Sequence, residues 1–143
     1  MERIEDCISF LAGKAAQQVS RRARDMLAPH GVTPVQYAVL RVLWEDDGQS
    51  GATLSARLAI DSATITGVID RLEGAGLIER RPDGGGDRRI HRVVLTDKGR
   101  ALQVPLDALM VGLNADVRAE LGEAAGPLWA ALAKLGGIRR KEG

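Results

Sequence analysis

Apolar residues recur at steps of three and four along several stretches of the chain, the spacing of amphipathic helices. The first stretch runs from Ile4 to Leu27 and stops at a Pro-His-Gly break. A second helix is predicted from Pro34 to Glu45, with Thr33 as its N-cap. The next segment, EDDGQSG, is predicted to be a loop, and a short third helix begins at Thr53. The pattern thus predicts one long helix followed by two shorter ones.

A fourth helix follows Asp61 and Ser62, both N-cap residue types, and ends at Gly74 and Gly76. Its two faces differ in character, and the predicted inner face is apolar: Ile65, Val68, Ile69, Leu72. The opposite face is small and polar, with an arginine one turn further on: Ser62, Ala63, Thr64, Thr66, Gly67, Arg71. Two short helices joined by a tight turn, the second with a small and polar outer face, are typical of a helix-turn-helix. We expect its hydroxyls to reach base edges or phosphates.

After Gly76 the pattern changes to alternation, in LIERR and again in RRIHRVVLT, with the turn-rich PDGGGD between them. This predicts a β-hairpin. The hairpin carries five arginines and two aspartates: Arg80, Arg81, Arg88, Arg89, Arg92, Asp83, Asp87. Such a basic ribbon directly behind a helix-turn-helix favours contact with DNA. The alternative is a solvated edge that discourages pairing between sheets.

Thr96 is expected to cap a fifth helix that Pro105 kinks, and a last helix carries Leu128 and Leu132. The apolar stripes of the first and the last two helices are too wide for a small winged core. They are therefore predicted to pack together and against a second copy as a two-fold dimer, with a monomeric three-helix bundle as the alternative.

The predicted fold is mainly α with a small β-hairpin wing. Residues 1–143 form a single domain, in which 33–96 are the winged helix-turn-helix lobe. Residues 1–30 and 97–138 form the helical dimerisation region.

Composition narrows the class of protein. The 143 residues are 45% hydrophobic and 27% charged, as in one ordinary folded domain. The net charge of +1 gives no general sign of a nucleic-acid partner, so such a signal must be local. No signal peptide or membrane span is visible, so we expect a cytoplasmic protein without a membrane partner. Cys7 cannot form an intramolecular disulfide, and only His30 and His91 are present, so no metal and no cofactor are expected.

Catalytic motifs are missing from the sequence, which argues against an enzyme. There is no Ser/His/Asp arrangement, no phosphate-binding loop and no His/Cys metal spacing. The three glycines at 84–86 lie in the predicted hairpin tip rather than between a strand and a helix. The alternatives to a transcriptional regulator are an architectural DNA-binding module and a protein-interaction domain built on a winged helix.

Three segments, TPVQYAVLRVLWE, LSARLAIDSATITGVIDRLEGAGLIERR and DRRIHRVVLTDKG, resemble the multiple antibiotic resistance regulator (MarR) family of bacterial winged helix-turn-helix repressors. The resemblance is close over residues 33–100. Its most specific part is an Asp-x-Arg pattern followed by a strand ending in Leu-Thr, here Asp87, Arg89, Leu95 and Thr96.

This resemblance implies how the chain meets DNA. It places a group of recognition-helix residues in the major groove: Ser62, Ala63, Thr64, Thr66. It implies that Arg71 contacts phosphate or bases and that Arg89 enters the minor groove, where negative potential attracts an arginine. Asp87 would hold Arg89 in place, or would simply form the turn. Arg88 would be a second phosphate contact or a solvated side chain.

The resemblance also implies a homodimer on a pseudo-palindromic operator, acting as a repressor that a small phenolic or carboxylic effector releases. Basic side chains suit a carboxylate and aromatic ones suit a ring, which indicates six candidate effector residues: Phe10, Lys14, Arg21, Tyr37, Arg41, Trp44. The alternative is that the aromatic residues belong to the core and the basic ones to the solvated surface.

One branch of the family senses organic hydroperoxides through a cysteine in the first helix, held by tyrosines. Cys7 lies slightly upstream of that place, and Tyr37 is the only tyrosine in the chain. Thiol-based oxidant sensing through Cys7 and an inert thiol are the two alternatives.

Overall fold

A computed structural model describes residues 1–83 and 91–140 of the chain. The chain forms two compact units, Met1–Pro34 and the residues from Val35 onward. Three residues predicted to contact DNA, Asp87, Arg88 and Arg89, lie outside the described residues.

The first unit is dominated by helix α1, Ile8–Leu27. The prediction that this helix begins at Ile4 was wrong. Residues Ile4–Asp6 form a separate 3₁₀ turn, and Cys7 then has an extended backbone (φ −83°, ψ 115°), which interrupts the helical path. A second 3₁₀ turn, Ala28–His30, follows α1.

The second unit contains the remaining helices and strands. The helices are α2 (Pro34–Glu45), α3 (Gly51–Leu58), α4 (Ser62–Gly74), α5 (Asp97–Ala101), α6 (Gln103–Leu121) and α7 (Ala125–Leu135). The strands are β1 (Gln49–Ser50), β2 (Ile78–Pro82) and β3 (His91–Leu95). The predicted extent of α2 and the predicted N-caps Asp61 and Thr96 are confirmed.

The strands form one antiparallel sheet in the order β1-β3-β2. The hairpin is confirmed, with Ile78 opposite Leu95 and Pro82 opposite His91. The loop prediction was wrong for Gln49 and Ser50. These two residues form β1, which pairs with the edge of β3 that does not pair with β2, and Gln49 lies opposite Val93. A two-residue strand has no alternation of its own, so only its distant partner defines it.

Buried apolar side chains from most of its helices and strands form the core of this unit. They include Leu40, Leu43, Leu54, Ile65, Leu72, Ile78, Val93 and Leu95. The predicted inner face of α4 is confirmed, since all four of its apolar residues are buried. Burying this face leaves the opposite side of α4 in solvent.

Two further helix boundaries differ from the prediction. Helix α3 begins at Gly51 rather than Thr53, because the Ser50 side chain accepts a hydrogen bond from the Thr53 N–H and caps it. The kink expected at Pro105 is a break at Leu102, which separates α5 from α6. Pro105 then lies in the first turn of α6, where its missing N–H would have had no partner in the helix. The expected class, mainly α with a small winged sheet, is confirmed.

Candidate DNA-binding surface

Helices α3 and α4 are joined by a turn of three residues, 59–61. Ala59 has a left-handed backbone (φ 53°, ψ 43°), which ends α3 abruptly. The Ser55 hydroxyl donates a hydrogen bond to the carbonyl of Ile60 and closes the turn. This is the geometry of a helix-turn-helix, in which the second helix presents its outer face.

Asp61 organises the N-terminus of α4. One of its carboxylate oxygens accepts the Thr64 N–H at 2.8 Å, and the other accepts the Thr64 hydroxyl at 2.7 Å. These hydrogen bonds to the backbone and side chain of Thr64 stabilise the charged form and lower the pKa of Asp61. The carboxylate therefore occupies the helix terminus that an incoming phosphate would otherwise find free.

The outer face of α4 is small and exposed, as the sequence predicts. Ser62, Ala63, Thr64 and Thr66 are all exposed. The Thr66 hydroxyl donates to the Ser62 carbonyl oxygen at 2.8 Å, so this side chain lies along its own helix. No side chain larger than threonine stands on the first turn of this face, and a groove of DNA can approach its backbone closely.

Arg71 extends over a gap in the same helix. Its Nη1 atom lies 3.8 Å from the position that a β-carbon on Gly67 would take. The side chain is exposed, and it makes no hydrogen bond or ion pair with residues 1–83 or 91–140. An exposed guanidinium without such a partner is available to a phosphate or a base edge.

Unlike Arg71, the arginines of β2 and β3 form ion pairs with acidic side chains. Arg80 forms ion pairs with Asp70 and, at 2.8 Å, with Glu73, both on α4. Its backbone N–H also donates to Glu73 at 3.0 Å, so this group of contacts joins β2 to α4.

The other two described arginines of the hairpin also have acidic partners. Arg81 pairs with Glu79 at 3.2 Å, and Arg92 pairs with Asp83 at 2.5 Å. The sequence of residues 80–92 does not include the acidic residues of α4 that pair with Arg80. The described arginines of the hairpin therefore add less net positive charge to this surface than the sequence suggests.

Three of the candidate effector residues lie on α2, and the structure brings them together. The rings of Tyr37 and Trp44 meet edge to face, with centroids 5.9 Å apart. The Tyr37 hydroxyl donates to Asp107 of α6 at 2.8 Å, and Arg41 Nε lies 3.6 Å from the same carboxylate oxygen. Burial, followed by the contact with Asp107, raises the pKa of Tyr37. Sequence reasoning missed Asp107, which no motif marks.

Trp44 has a further contact. Its indole N–H donates to the Gly99 carbonyl at 3.1 Å. Trp44 therefore joins α2 to α5, and Tyr37 joins α2 to α6.

The other candidate effector residues lie on α1. Phe10 and Lys14 line an open groove of about 560 Å³ on this helix, and Lys14 Nζ lies 5.8 Å from the Phe10 ring centroid. Arg21 is exposed and lies outside that groove. Cys7 is half-buried just before α1. Among residues 1–83 and 91–140, no group of His, Cys, Asp or Glu side chains could hold a metal ion. None of the helices in the described part of the chain is long and apolar enough to cross a bilayer.

Comparison with known proteins shows the family of the chain. The MarR family model matches residues 32–91. The regulator TtmR of Methylorubrum extorquens is 36% identical over 126 residues, which cover 84% of this chain and 64% of TtmR. The chain therefore spans slightly less than two thirds of that relative. The uncharacterised regulator YkoM of Bacillus subtilis is 31% identical, with 76% of this chain and 75% of YkoM covered.

Two solved structures have a fold similar to that of this chain. The transcriptional repressor CouR, bound to a 23-mer DNA duplex, superposes with a TM-score of 0.84 at 28% identity, covering 94% of this chain and 96% of CouR. CouR bound to p-coumaroyl-CoA gives 0.84 at 26% identity, with 94% and 95% covered.

The fold and the exposed face of α4 define a winged helix-turn-helix protein. The chain belongs to the MarR family of DNA-binding transcriptional regulators.

Proposed function

We propose that this chain binds double-stranded DNA as a homodimer and represses transcription from a pseudo-palindromic operator. The observation that carries the proposal is the form of α4, whose apolar face is buried while its small outer face is exposed. In this proposal α4 enters the major groove with Ser62, Ala63, Thr64 and Thr66 towards the bases. Arg71 contacts phosphate or a base, and the wing places Arg89 in the minor groove, with Asp87 and Arg88 beside it.

Exposed apolar side chains on the terminal helices support the homodimer. Ile8, Leu11 and Val19 of α1 are exposed, and so are Leu132 and Leu135 of α7. Leu135 is 74% exposed in the single chain. Water-exposed leucines at helical spacing are typical of a surface that a partner covers. In this proposal residues 1–30 and 97–138 form the dimerisation region and residues 33–96 form the DNA-binding lobe. Two-fold symmetry then places the two α4 helices about one DNA turn apart.

The proposal includes release by a small phenolic or carboxylic effector. The groove on α1 combines an aromatic ring, Phe10, with a cation, Lys14. On α2, Tyr37 and Trp44 supply rings, and Arg41 supplies a guanidinium. A ring surface beside a cation suits an aromatic acid. The similar repressor CouR is described with p-coumaroyl-CoA, which has a phenolic ring.

Fluorescence anisotropy tests the DNA-binding part. The full chain is titrated into labelled DNA from the region upstream of its own gene and into a random duplex, across a series of salt concentrations. We expect affinity for the upstream DNA to exceed that for the random duplex by a factor on the order of a thousand, with a steep salt slope. Equal weak binding to both duplexes would contradict an operator in that region.

Light scattering tests the dimer, and an effector titration tests release. We expect the mass of a dimer at micromolar concentration, and dissociation in Leu132→Glu, because a charge on a covered apolar face is unfavourable.

We also expect p-coumarate or p-coumaroyl-CoA to lower operator affinity in the wild type and to lose that effect in Lys14→Met or Arg41→Met. Arg3→Met, which removes an exposed charge paired with Glu5, is the matched control.

A further inference from the structure

The hydroxyl groups of Thr64 and Thr66, on the outer face of α4, already donate their hydrogens within the protein. We propose that Thr64 and Thr66 read DNA through their γ-methyl groups rather than their hydroxyls. The operator would then carry thymine at the base pairs that these side chains contact. This inference rests on the proposed DNA-binding function and specifies which groups of the bases it recognises.

Each threonine hydroxyl has one hydrogen to donate, and the structure shows where it goes. Thr64 Oγ1 lies 2.7 Å from a carboxylate oxygen of Asp61, which can only accept. Thr66 Oγ1 lies 2.8 Å from the carbonyl oxygen of Ser62, which can only accept as well. Neither hydroxyl can donate to an acceptor on a base without first giving up a bond that it already makes.

This arrangement removes one class of recognition. In the major groove, guanine presents two acceptors, N7 and O6, and thymine presents O4. A threonine that cannot donate gains nothing from these acceptors. The thymine 5-methyl group, by contrast, takes an apolar contact from a threonine methyl.

The direction of the hydroxyls decides which group faces outward. The bond to Ser62, four residues back, draws Thr66 Oγ1 along its own helix. The bond to Asp61 does the same for Thr64 Oγ1 at the N-terminus. Both residues are exposed, and in this proposal their γ-methyl groups are the parts that meet a base in the groove.

The neighbouring positions allow the close approach that a methyl contact needs. Ala63 and Gly67 are four residues apart and therefore share a face of α4. Ala63 is exposed and adds one more methyl group, and Gly67 has no side chain of its own, so only the flexible end of Arg71 lies over it. Apolar contact is short-ranged, so these two small residues are the condition for reading a thymine methyl.

The test begins with a duplex that the wild-type full chain selects from a random library about two helical turns long. Each thymine of the selected duplex is then replaced in turn by deoxyuridine, which removes only the 5-methyl group. At the positions that Thr64 and Thr66 touch, we expect binding to weaken by about fourfold for each methyl group removed.

Two substitutions at Thr66 separate the methyl group from the hydroxyl. Thr66→Val keeps the methyl and removes the hydroxyl, so we expect the discrimination between thymine and deoxyuridine to persist. Thr66→Ser keeps the hydroxyl and removes the methyl, so we expect weaker binding to the thymine duplex and no further loss with deoxyuridine. The same pair at Thr64 repeats the test, and thermal melting followed by circular dichroism checks that each variant is folded.

The outcomes separate this inference from the function on which it rests. If no duplex is enriched, the proposed function and the inference both fail. If a duplex is enriched but every deoxyuridine is tolerated, methyl recognition is overturned while DNA binding stands. Methyl recognition is also overturned if Thr66→Val loses the discrimination between thymine and deoxyuridine while Thr66→Ser keeps it, because the γ-methyl group would then not be the group that reads the base.

Discussion

Gly99 packs directly against the backbone of Leu77. A β-carbon built on Gly99 would lie 2.1 Å from the Leu77 carbonyl oxygen and 3.1 Å from its carbonyl carbon. The same oxygen accepts the Thr96 N–H at 3.1 Å, so the backbone at this point is held from two sides. Gly99 is also the residue whose carbonyl binds Trp44. The end of the wing, the start of α5 and the helix α2 therefore meet at a position that only glycine can occupy.

The first prediction concerns this contact. Gly99→Ala is expected to lower the free energy of unfolding by about 3 kcal/mol or more, because the overlap is with rigid backbone rather than with a side chain that can move. Chemical denaturation measures the change. Gly74→Ala is the matched control, since a β-carbon on Gly74 of α4 meets nothing within 4 Å. The control should change stability by less than about 1 kcal/mol. Equal effects of the two substitutions would show that the Leu77 backbone moves to make room for the added β-carbon.

The second prediction concerns Tyr37 and Asp107. Tyr37→Phe removes the hydrogen bond to Asp107 and is expected to lower the free energy of unfolding by about 1 kcal/mol at neutral pH. The folded-state pKa of Tyr37 is raised by burial and then by Asp107, whereas the unfolded chain titrates near its ordinary value of about 10. The contribution is therefore fully present below about pH 10 and is lost as the pH rises through the folded-state pKa.

Tyr37 is the only tyrosine, so ultraviolet absorbance of the phenolate reports its titration directly. We expect the folded protein to form phenolate at higher pH than the protein in denaturant. The free energy of unfolding of the wild type should fall above about pH 10. Tyr37→Phe has no phenol to titrate, so this part of the fall should be missing in the variant. Phenolate formation at the same pH in both states would contradict both the burial of Tyr37 and its contact with Asp107.

The third prediction compares two arginines of the same lobe. Arg71 has no partner among the described residues, so Arg71→Ala is expected to weaken operator binding by about 1 to 3 kcal/mol. If the contact is to phosphate, the slope of affinity against salt should also fall by about one. Anisotropy across salt concentrations measures both quantities.

Arg80 serves as the counterpart. Because its guanidinium is held by Asp70 and Glu73, Arg80→Met is expected to cost up to about 1 kcal/mol in unfolding and to leave the salt slope of DNA binding unchanged. A salt slope that falls equally in both variants would mean that Arg80 leaves its acids to bind phosphate.

The fourth prediction concerns Arg89, which the family pattern assigns to the minor groove. Arg89→Ala is expected to weaken operator binding by about 1 to 3 kcal/mol without changing the melting temperature, since the sequence predicts Arg89 near the hairpin tip, where we expect a side chain to add little to the core. Arg3→Ala removes the same charge from the N-terminal turn and should leave operator affinity unchanged. Unaltered affinity in Arg89→Ala would refute the assignment of Arg89 to the groove.

Local information was enough for much of the fold. The inner face of α4 was predicted residue by residue, because helical spacing alone determines which of its side chains share a face. Asp61 and Thr96 were predicted as N-caps because a short polar side chain satisfies N–H groups that lie within three residues of it. The hairpin followed in the same way from alternation and turn residues.

The sequence by itself therefore determined the extent of α2, the buried and exposed faces of α4, the hairpin, and the membership of a family of DNA-binding regulators. Only the tertiary structure decided that Gln49 joins the sheet, that Arg80 binds the acids of α4, and that Asp107 holds Tyr37. It also decided that Gly99 must be glycine. The physical reason is that caps and faces depend on neighbours a few residues away, whereas these contacts exist only after folding brings distant parts of the chain within a few ångströms.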